Sequence, residues 1–425
     1  METTVAFGKT GLNLQLPEGP HYEIIHAQSA PALANVTSAL EAALDAPINS
    51  LPLLDLARGK KSAAISICDI TRPAPNRITL PPLLAQLHRA GLGHEDITLC
   101  IATGLHRIAT QAELEHILGA EIARSYPILN HDAKDAAQHR ALGKTTQGTP
   151  VGIAAAFLDA DLHITLGFIE QHLMLGFSGG RKMIAPGLAA QETIKTIHSP
   201  RFMREALATE GSVEANPLHA ELLEIARMAR HDFMLDVTLT HDRSISGVFA
   251  GEPVAAHAAG VQFMRRSSIE YVDGFVDAAI TSAAGFPLDL TFYQTIKGIT
   301  AVQHIVKPGG PILAIGECAE GIGSPEFAHK LSSYRDASSF LAEIKDSPVV
   351  VDQWQLEKLA LVAEKNPLLF YVPGADATHL GGLREQTFQH VDDAIAALLR
   401  ELPKDARIAV IPDGPYACVR VNQPG

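Results

Sequence analysis

The chain has 425 residues, 47% of them hydrophobic and 19% charged, with a formal net charge of −13. A chain this long divides between two hydrophobic cores, and its acidic balance opposes a general nucleic-acid role, which needs a basic face to meet phosphates. No apolar run approaches the ~18 residues of a membrane helix, METTVAFGKT carries no basic region ahead of an apolar core, and Cys68, Cys100, Cys318 and Cys418 form no C-x-x-C pair, so a cytoplasmic, reduced protein is expected.

In chain order, residues 3–16 alternate apolar and polar around Gly8 and Gly11, as a β-hairpin does. An Ala- and Leu-rich stretch over 30–46 predicts a helix. Ser62 to Cys68 is an apolar run suited to a buried strand, and the prolines at 73 and 75 make Asp69 to Arg77 a loop at its carboxyl end. Pro81 to Ala90 reads as a helix and Ile97 to Ala102 as the next strand. The polar loop Thr103, Gly104, Leu105, His106, Arg107 then precedes a helix over 111–118. Strand, loop and helix twice in succession imply a parallel sheet with crossover helices, whose ligands gather at the carboxyl ends of the strands. The Asp69 and His106 loops are therefore expected at one crevice. Further strands at 128–129 and 162–167 deliver further polar loops.

The second of these loops opens the stretch Gly167 to Pro200, GFIEQHLMLGFSGGRKMIAPGLAAQETIKTIHSP, where the chain concentrates its chemistry. It offers His172, a bend at Ser178, Gly179 and Gly180, then Lys182 and His198. Successive amides freed of side chains can form an anion-binding nest, and Arg181 and Lys182 add charge for a phosphate. The plainer alternative is a tight turn followed by a solvated basic pair. A Walker-type loop is excluded, because the spacing is wrong and Met183 stands where Ser or Thr should follow the lysine. Gly176 to Gly180 does fit G-x-S-x-G, which leaves a serine hydrolase with Ser178 in a nucleophile elbow as an alternative.

Residues 217–230 read as a helix, 233–240 and 245–249 as a hairpin, and 253–269 as a helix that ends near a boundary at 271–274. From Ala278 the order returns to strand, loop and helix. The expected fold is α/β, with two α/β domains of mainly parallel sheets over 1–272 and 273–425 and a crevice between them; the last ~20 residues could return to the first domain. Gln294 and Lys297 share a helix face. A helix N-terminus with a lysine beside it suits a carboxylate, and an ordinary amphipathic helix is an equal reading.

Several ordered signatures, DITRPAP, ATGLHR, LNHDA, QHLMLGFSGGRK, the later His198, PLDLTFYQTIKG, GECAEGIG and DQWQ, resemble the nickel-dependent lactate racemase family. The resemblance implies a racemase or epimerase of a 2-hydroxy acid, lactate or another. Its cofactor is a nickel-pincer pyridinium-3-thioamide-5-thiocarboxylic acid mononucleotide, covalent on Lys182, with His198 as a further nickel ligand. It assigns His106 and His172 as the acid/base pair, and Arg72, Gln294 and Lys297 as substrate contacts, with Tyr293 and Trp354 lining the site. Asp69, Thr71, Ser178, Gly179 and Gly180 become cofactor contacts, residues 1–272 the cofactor-binding domain and 273–425 the substrate side. Cofactor-synthesis proteins become partners. Two positions depart from the family pattern: Ile108 follows Arg107 where proline is expected, and Glu170 and Gln171 precede His172 where the family varies. A non-catalytic nucleotide- or anion-binding protein is the alternative from another class.

Overall fold

The computed structural model describes residues 1–422. They form two α/β units: residues 29–198 with 205–267, and residues 1–28 with 199–204 and 268 onward.

The first unit is built on a six-stranded sheet. From one edge to the other its strands are Ile245–Gly251, Phe233–Leu239, Leu162–Phe168, Ala63–Cys68, Ile97–Ala102 and Ile128–Asn130. Only the pair Phe233–Leu239 with Ile245–Gly251 is antiparallel. The central strands Ala63–Cys68 and Leu162–Phe168 are buried along their whole length, which is why they read as unbroken apolar runs rather than as alternation. Strand order reverses between them, because the chain steps outward from Ala63–Cys68 to the 97–102 and 128–130 strands and then returns to its other side. That reversal is where open parallel sheets bind ligands, and the loops leaving its two strands begin at Asp69 and Ile169.

Local structure departs from the sequence pattern in one informative place. The helix expected from Pro81 begins five residues earlier, spans Asn76–Arg89, and carries Pro81 and Pro82 in its interior. Its face of Leu80, Leu83, Leu84 and Leu87 is buried in the core, and that burial, at about 1.5–3 kcal/mol per large side chain, outweighs the ladder bonds that two prolines remove.

The second unit carries a five-stranded, all-parallel sheet ordered Leu368–Tyr371, Ile312–Ile315, Ala278–Ser282, Arg407–Ile411 and His21–Ile24. The expected division at 272 is corrected at the N-terminus. Residues 1–28 belong with the C-terminal half, because His21–Ile24 is an edge strand beside Arg407–Ile411 and Arg407 pairs with Glu23 at 2.6 Å. The final segment also stays there, with Cys418–Val421 paired in parallel to Ile269–Val272. All four cysteines are buried and unbridged. No helix among the described residues is long and apolar enough to cross a membrane.

Candidate active site

The Asp69 loop and the His106 loop leave neighbouring strands. Asp69 is 4% exposed. Its Oδ2 lies 2.8 Å from His106 Nδ1, and its Oδ1 accepts the Thr71 hydroxyl at 2.7 Å. Burial pushes the Asp69 carboxyl up, but the His106 hydrogen bond and charge, the Arg72 charge and the Thr71 bond outweigh it, and the net shift is downward. An ionised carboxylate can only accept, so His106 Nδ1 carries the proton and Nε2 the lone pair. The backbone amide of His106 donates to Thr103 at 3.0 Å, and its side chain is 46% exposed. Asp69 and Thr71, expected at a cofactor, are thus turned toward His106.

Arg72 does not form the ion pair with Asp69 that its loop permits. It acts on the carboxylate as a charge, and among the described residues its guanidinium makes no salt bridge. Arg107 is held differently, clasping Glu113 with both terminal nitrogens at 2.8 and 2.6 Å beside the Thr110 capping box.

His172 sits on a two-residue strand that pairs with Gly176–Phe177, and the Met174 amide faces its Nδ1 at 3.4 Å. This small hairpin fixes the ring near the start of the glycine loop. Ser178 does not form a nucleophile elbow. Its hydroxyl donates to Phe168 O and accepts from Glu170 N, both at 2.9 Å, and it is 5% exposed. A side chain stapling two backbone groups has no proton to give a general base, so the hydrolase geometry is lacking.

The phosphate nest expected at Ser178 to Gly180 is corrected as well. The Ser178 amide donates to Glu170 O at 2.8 Å, and the Gly180 amide to Asp236 Oδ2 at 2.7 Å. The protein's own carboxylate fills the concavity. Sequence reasoning passed over Asp236 inside the apolar strand FMLDVTL, although a charged residue in a fully buried strand is itself a signal. Burial raises its pKa to about 7, against the Gly180 bond, the Arg181 charge and the Gly167 amide. A side chain at Gly179, whose φ is +81°, would collide with Asp236 Oδ2. Arg181, expected with Lys182 to add charge for a phosphate or, in the plainer reading, to be solvated, is 2% exposed and turned inward onto the carbonyls of Leu175, Phe177 and Gly179.

Lys182 follows on a short turn, half-buried. Its charge reaches His198, sixteen residues later at the end of the helix Gln191–Ile197. His198 Nδ1 lies 2.8 Å from Ile194 O, so Nδ1 carries the proton and Nε2 the lone pair. Burial lowers its pKa to about 4, with the Ile194 bond opposing and Lys182 adding to the fall. A neutral imidazole whose tautomer is set by a backbone carbonyl is what a metal requires of histidine. No group of three or more His, Cys, Asp or Glu able to hold a metal occurs among the described residues. A neutral imidazole within reach of a lysine's charge fits a lysine-borne pincer.

In the second unit, Tyr293, Gln294 and Lys297 lie on the helix Phe292–Val302. Tyr293 packs edge-on against Phe327 at 5.1 Å, and Gln355 holds its carbonyl at 3.1 Å. Gln294 Oε1 is buried with no hydrogen-bond partner. Trp354 is 7% exposed. At the helix N-terminus, read equally as a carboxylate site or as an ordinary amphipathic start, the Phe292 and Tyr293 amides donate to the Gly321 and Ile322 carbonyls at 2.9 and 3.0 Å. Asp289 anchors the preceding loop through Gly8 N and Glu317 N at 2.6 and 3.1 Å.

Each unit is an α/β sheet structure, and the first brings together an Asp-oriented histidine and a lysine whose charge acts on a buried, neutral histidine. The lactate racemase N-terminal domain family matches residues 7–211 and the lactate racemase C-terminal domain family residues 273–419. A lactate racemase of Lactiplantibacillus plantarum is 34% identical over 379 residues, 88% of this chain and 89% of its own. One from Thermoanaerobacterium thermosaccharolyticum is 31% identical over 422 residues, 98% of each. The solved lactate racemase apoprotein from the latter organism superposes with a TM-score of 0.90 at 29% identity, covering 100% of both chains. A Thermotoga maritima protein shares the fold, at TM-score 0.65 and 16% identity over 87% of this chain and 96% of its own.

The chain belongs to the lactate racemase family. It is an isomerase, a racemase or epimerase of 2-hydroxy acids that works with a nickel-pincer cofactor.

Proposed function

We propose that the enzyme interconverts the enantiomers of lactate or a closely related 2-hydroxy acid, with Lys182 carrying the cofactor and His198 binding its nickel. The α-hydrogen of a hydroxy acid is too weakly acidic to leave as a proton to imidazole, so it departs as hydride while the hydroxyl proton moves to a base. The bound pincer supplies the hydride acceptor. His106 Nε2 takes the hydroxyl proton on one side of the substrate and His172 does so on the other, each returning it in the reverse reaction. Asp69 keeps the His106 lone pair on Nε2 and stabilises the imidazolium once it forms. Arg72, uncommitted to any carboxylate of its own unit, orients the substrate carboxylate. Gln294 and Lys297 contribute further substrate contacts from the second unit, with Tyr293 and Trp354 as lining. Residues 29–198 with 205–267 act as the cofactor-binding domain and the second unit as the substrate side. The cofactor comes from dedicated synthesis proteins in the cytoplasm. The exposed Ile108, in the family's proline position, is the substitution in the His106 loop most suited to alter the choice of hydroxy acid.

Lys182 beside a neutral, tautomer-locked His198 carries this reading. The test is intact mass, peptide mapping and nickel analysis of protein made beside a cofactor-producing system. Wild type should carry an adduct on Lys182 and about one nickel per chain, whereas His198→Ala should keep the adduct and lose most of the nickel. Unmodified Lys182 without nickel, under conditions that load a known lactate racemase, refutes it.

A further inference from the structure

Beside Arg181 of the glycine loop, a groove of about 490 Å³ runs between two helices of the first unit, Pro217–Met228 and Pro253–Ser268. None of His106, His172, Lys182 and His198 lines it. Its walls are largely apolar, with Val213, Leu223, Val254 and Val261 among them, and its polar groups converge on Arg181, His219 and His257. A mostly apolar cleft of this size with a few converging polar groups is the usual form of a small-molecule site.

The charge in the groove has no anion against it. Arg181 contacts three backbone carbonyls and His257 Nε2, the last at 2.6 Å, and no carboxylate lies within hydrogen-bond distance of its guanidinium. Asp236 acts on it only at a distance. Arg181 Nε and His219 Nδ1 are both buried without a hydrogen-bond partner. The acids that line the groove are engaged elsewhere. Glu214 is clasped by Arg265 at 2.6 and 2.8 Å, and Glu252 accepts the Val254 and Ala255 amides at 3.2 and 2.8 Å. Asn216 caps the other helix through Leu218 N and His219 N. Both helix ends are therefore satisfied; Arg227, also on the lining, is exposed to solvent, and the buried uncompensated positive charge is that of Arg181. A buried cation without a contacting anion is costly, and an anion brought in through the groove relieves that cost.

We propose that this groove is a second ligand site, for a small organic carboxylate with an apolar body, its carboxylate directed to Arg181 and its body against the valine and leucine walls. Binding needs no turnover, so its outcome is separate from the racemase reading. Isovalerate and its uncharged isostere isovaleramide are titrated into the full-length protein by ligand-observed NMR, with wild type compared to Ala258→Trp. Ala258 is an exposed lining residue, on a different element from the carbonyls that Arg181 contacts, and an indole there is expected to take up groove space. Isovalerate should bind wild type at least about 10-fold more tightly than isovaleramide and at least about 10-fold more tightly than it binds Ala258→Trp. Equal binding of acid and amide, unchanged binding to Ala258→Trp, or no binding of isovalerate up to about 10 mM overturns the proposal.

Discussion

Replacing Asp69 by Asn tests the part of the mechanism that depends most on geometry. The amide is close in shape to the carboxylate and can keep the Thr71 contact, so the loop should survive; what goes is the negative charge 2.8 Å from His106 Nδ1. A hydrogen bond to a charged partner is worth about 1.5–3 kcal/mol. At about 1.4 kcal/mol per factor of ten, its loss when His106 becomes imidazolium lowers kcat by about 10- to 150-fold. An amide that turns its NH₂ toward His106 costs more, because it moves the lone pair from Nε2 to Nδ1. Chiral chromatography of each lactate enantiomer gives kcat and KM in both directions. A racemase equilibrium constant of one requires kcat/KM to fall equally for the two. Nickel content and the melting curve of the same preparation separate a catalytic from a folding defect. Unchanged kcat at full nickel loading would refute the assignment of Asp69 as the residue that orients His106. In the apoprotein, Asp69 is held below its ordinary value of 3.8. Its pairing therefore stabilises the fold fully above that pH and is lost as pH falls through the lower folded value, so Asp69→Asn should be less sensitive to acid in urea titrations.

Two further outcomes concern the glycine loop. Asp236 has the opposite sign from Asp69: its folded pKa, about 7, lies above its unfolded one. Wild-type stability should thus fall as pH rises from about 4 to 7, and Asp236→Asn, which still accepts the Gly180 amide, should flatten that slope and gain about 1–4 kcal/mol at pH 8 in denaturant midpoints; an unaltered slope refutes the buried-acid account. Gly179→Ala forces a methyl group into the space of Asp236 Oδ2 at a backbone angle that alanine resists. The variant should lose at least about 1 kcal/mol of stability and most of its nickel loading, and normal values in both measurements would show that the loop yields.

Much of the fold was legible because its signals are local. Short, mainly apolar runs bounded by turn residues, such as Ala63–Cys68 and Leu162–Phe168, read as doubly buried strands. Prolines after Asp69 end a strand wherever they stand, and the ordered motifs from DITRPAP to DQWQ marked the family without any contact being known. The sequence by itself thus determined the α/β class and the family, and it singled out Lys182, His198, His106 and His172 as the residues to test. It could not assign residues 1–28 to the C-terminal unit, because the pairing of His21–Ile24 with Arg407–Ile411 joins segments at opposite ends of the chain and leaves no periodicity in either. Nor could it separate a glycine loop that binds an anion from one that has already received one. The spacing S-G-G-R-K is the same in both cases, and only the passage of Phe233–Leu239 beneath the loop brings the Asp236 carboxylate to the Gly180 amide. The direction of Arg181 was decided in the same way. Its basicity is local, but whether it meets solvent, a phosphate or backbone carbonyls depends on which helices close over it, and that is a property of tertiary packing alone.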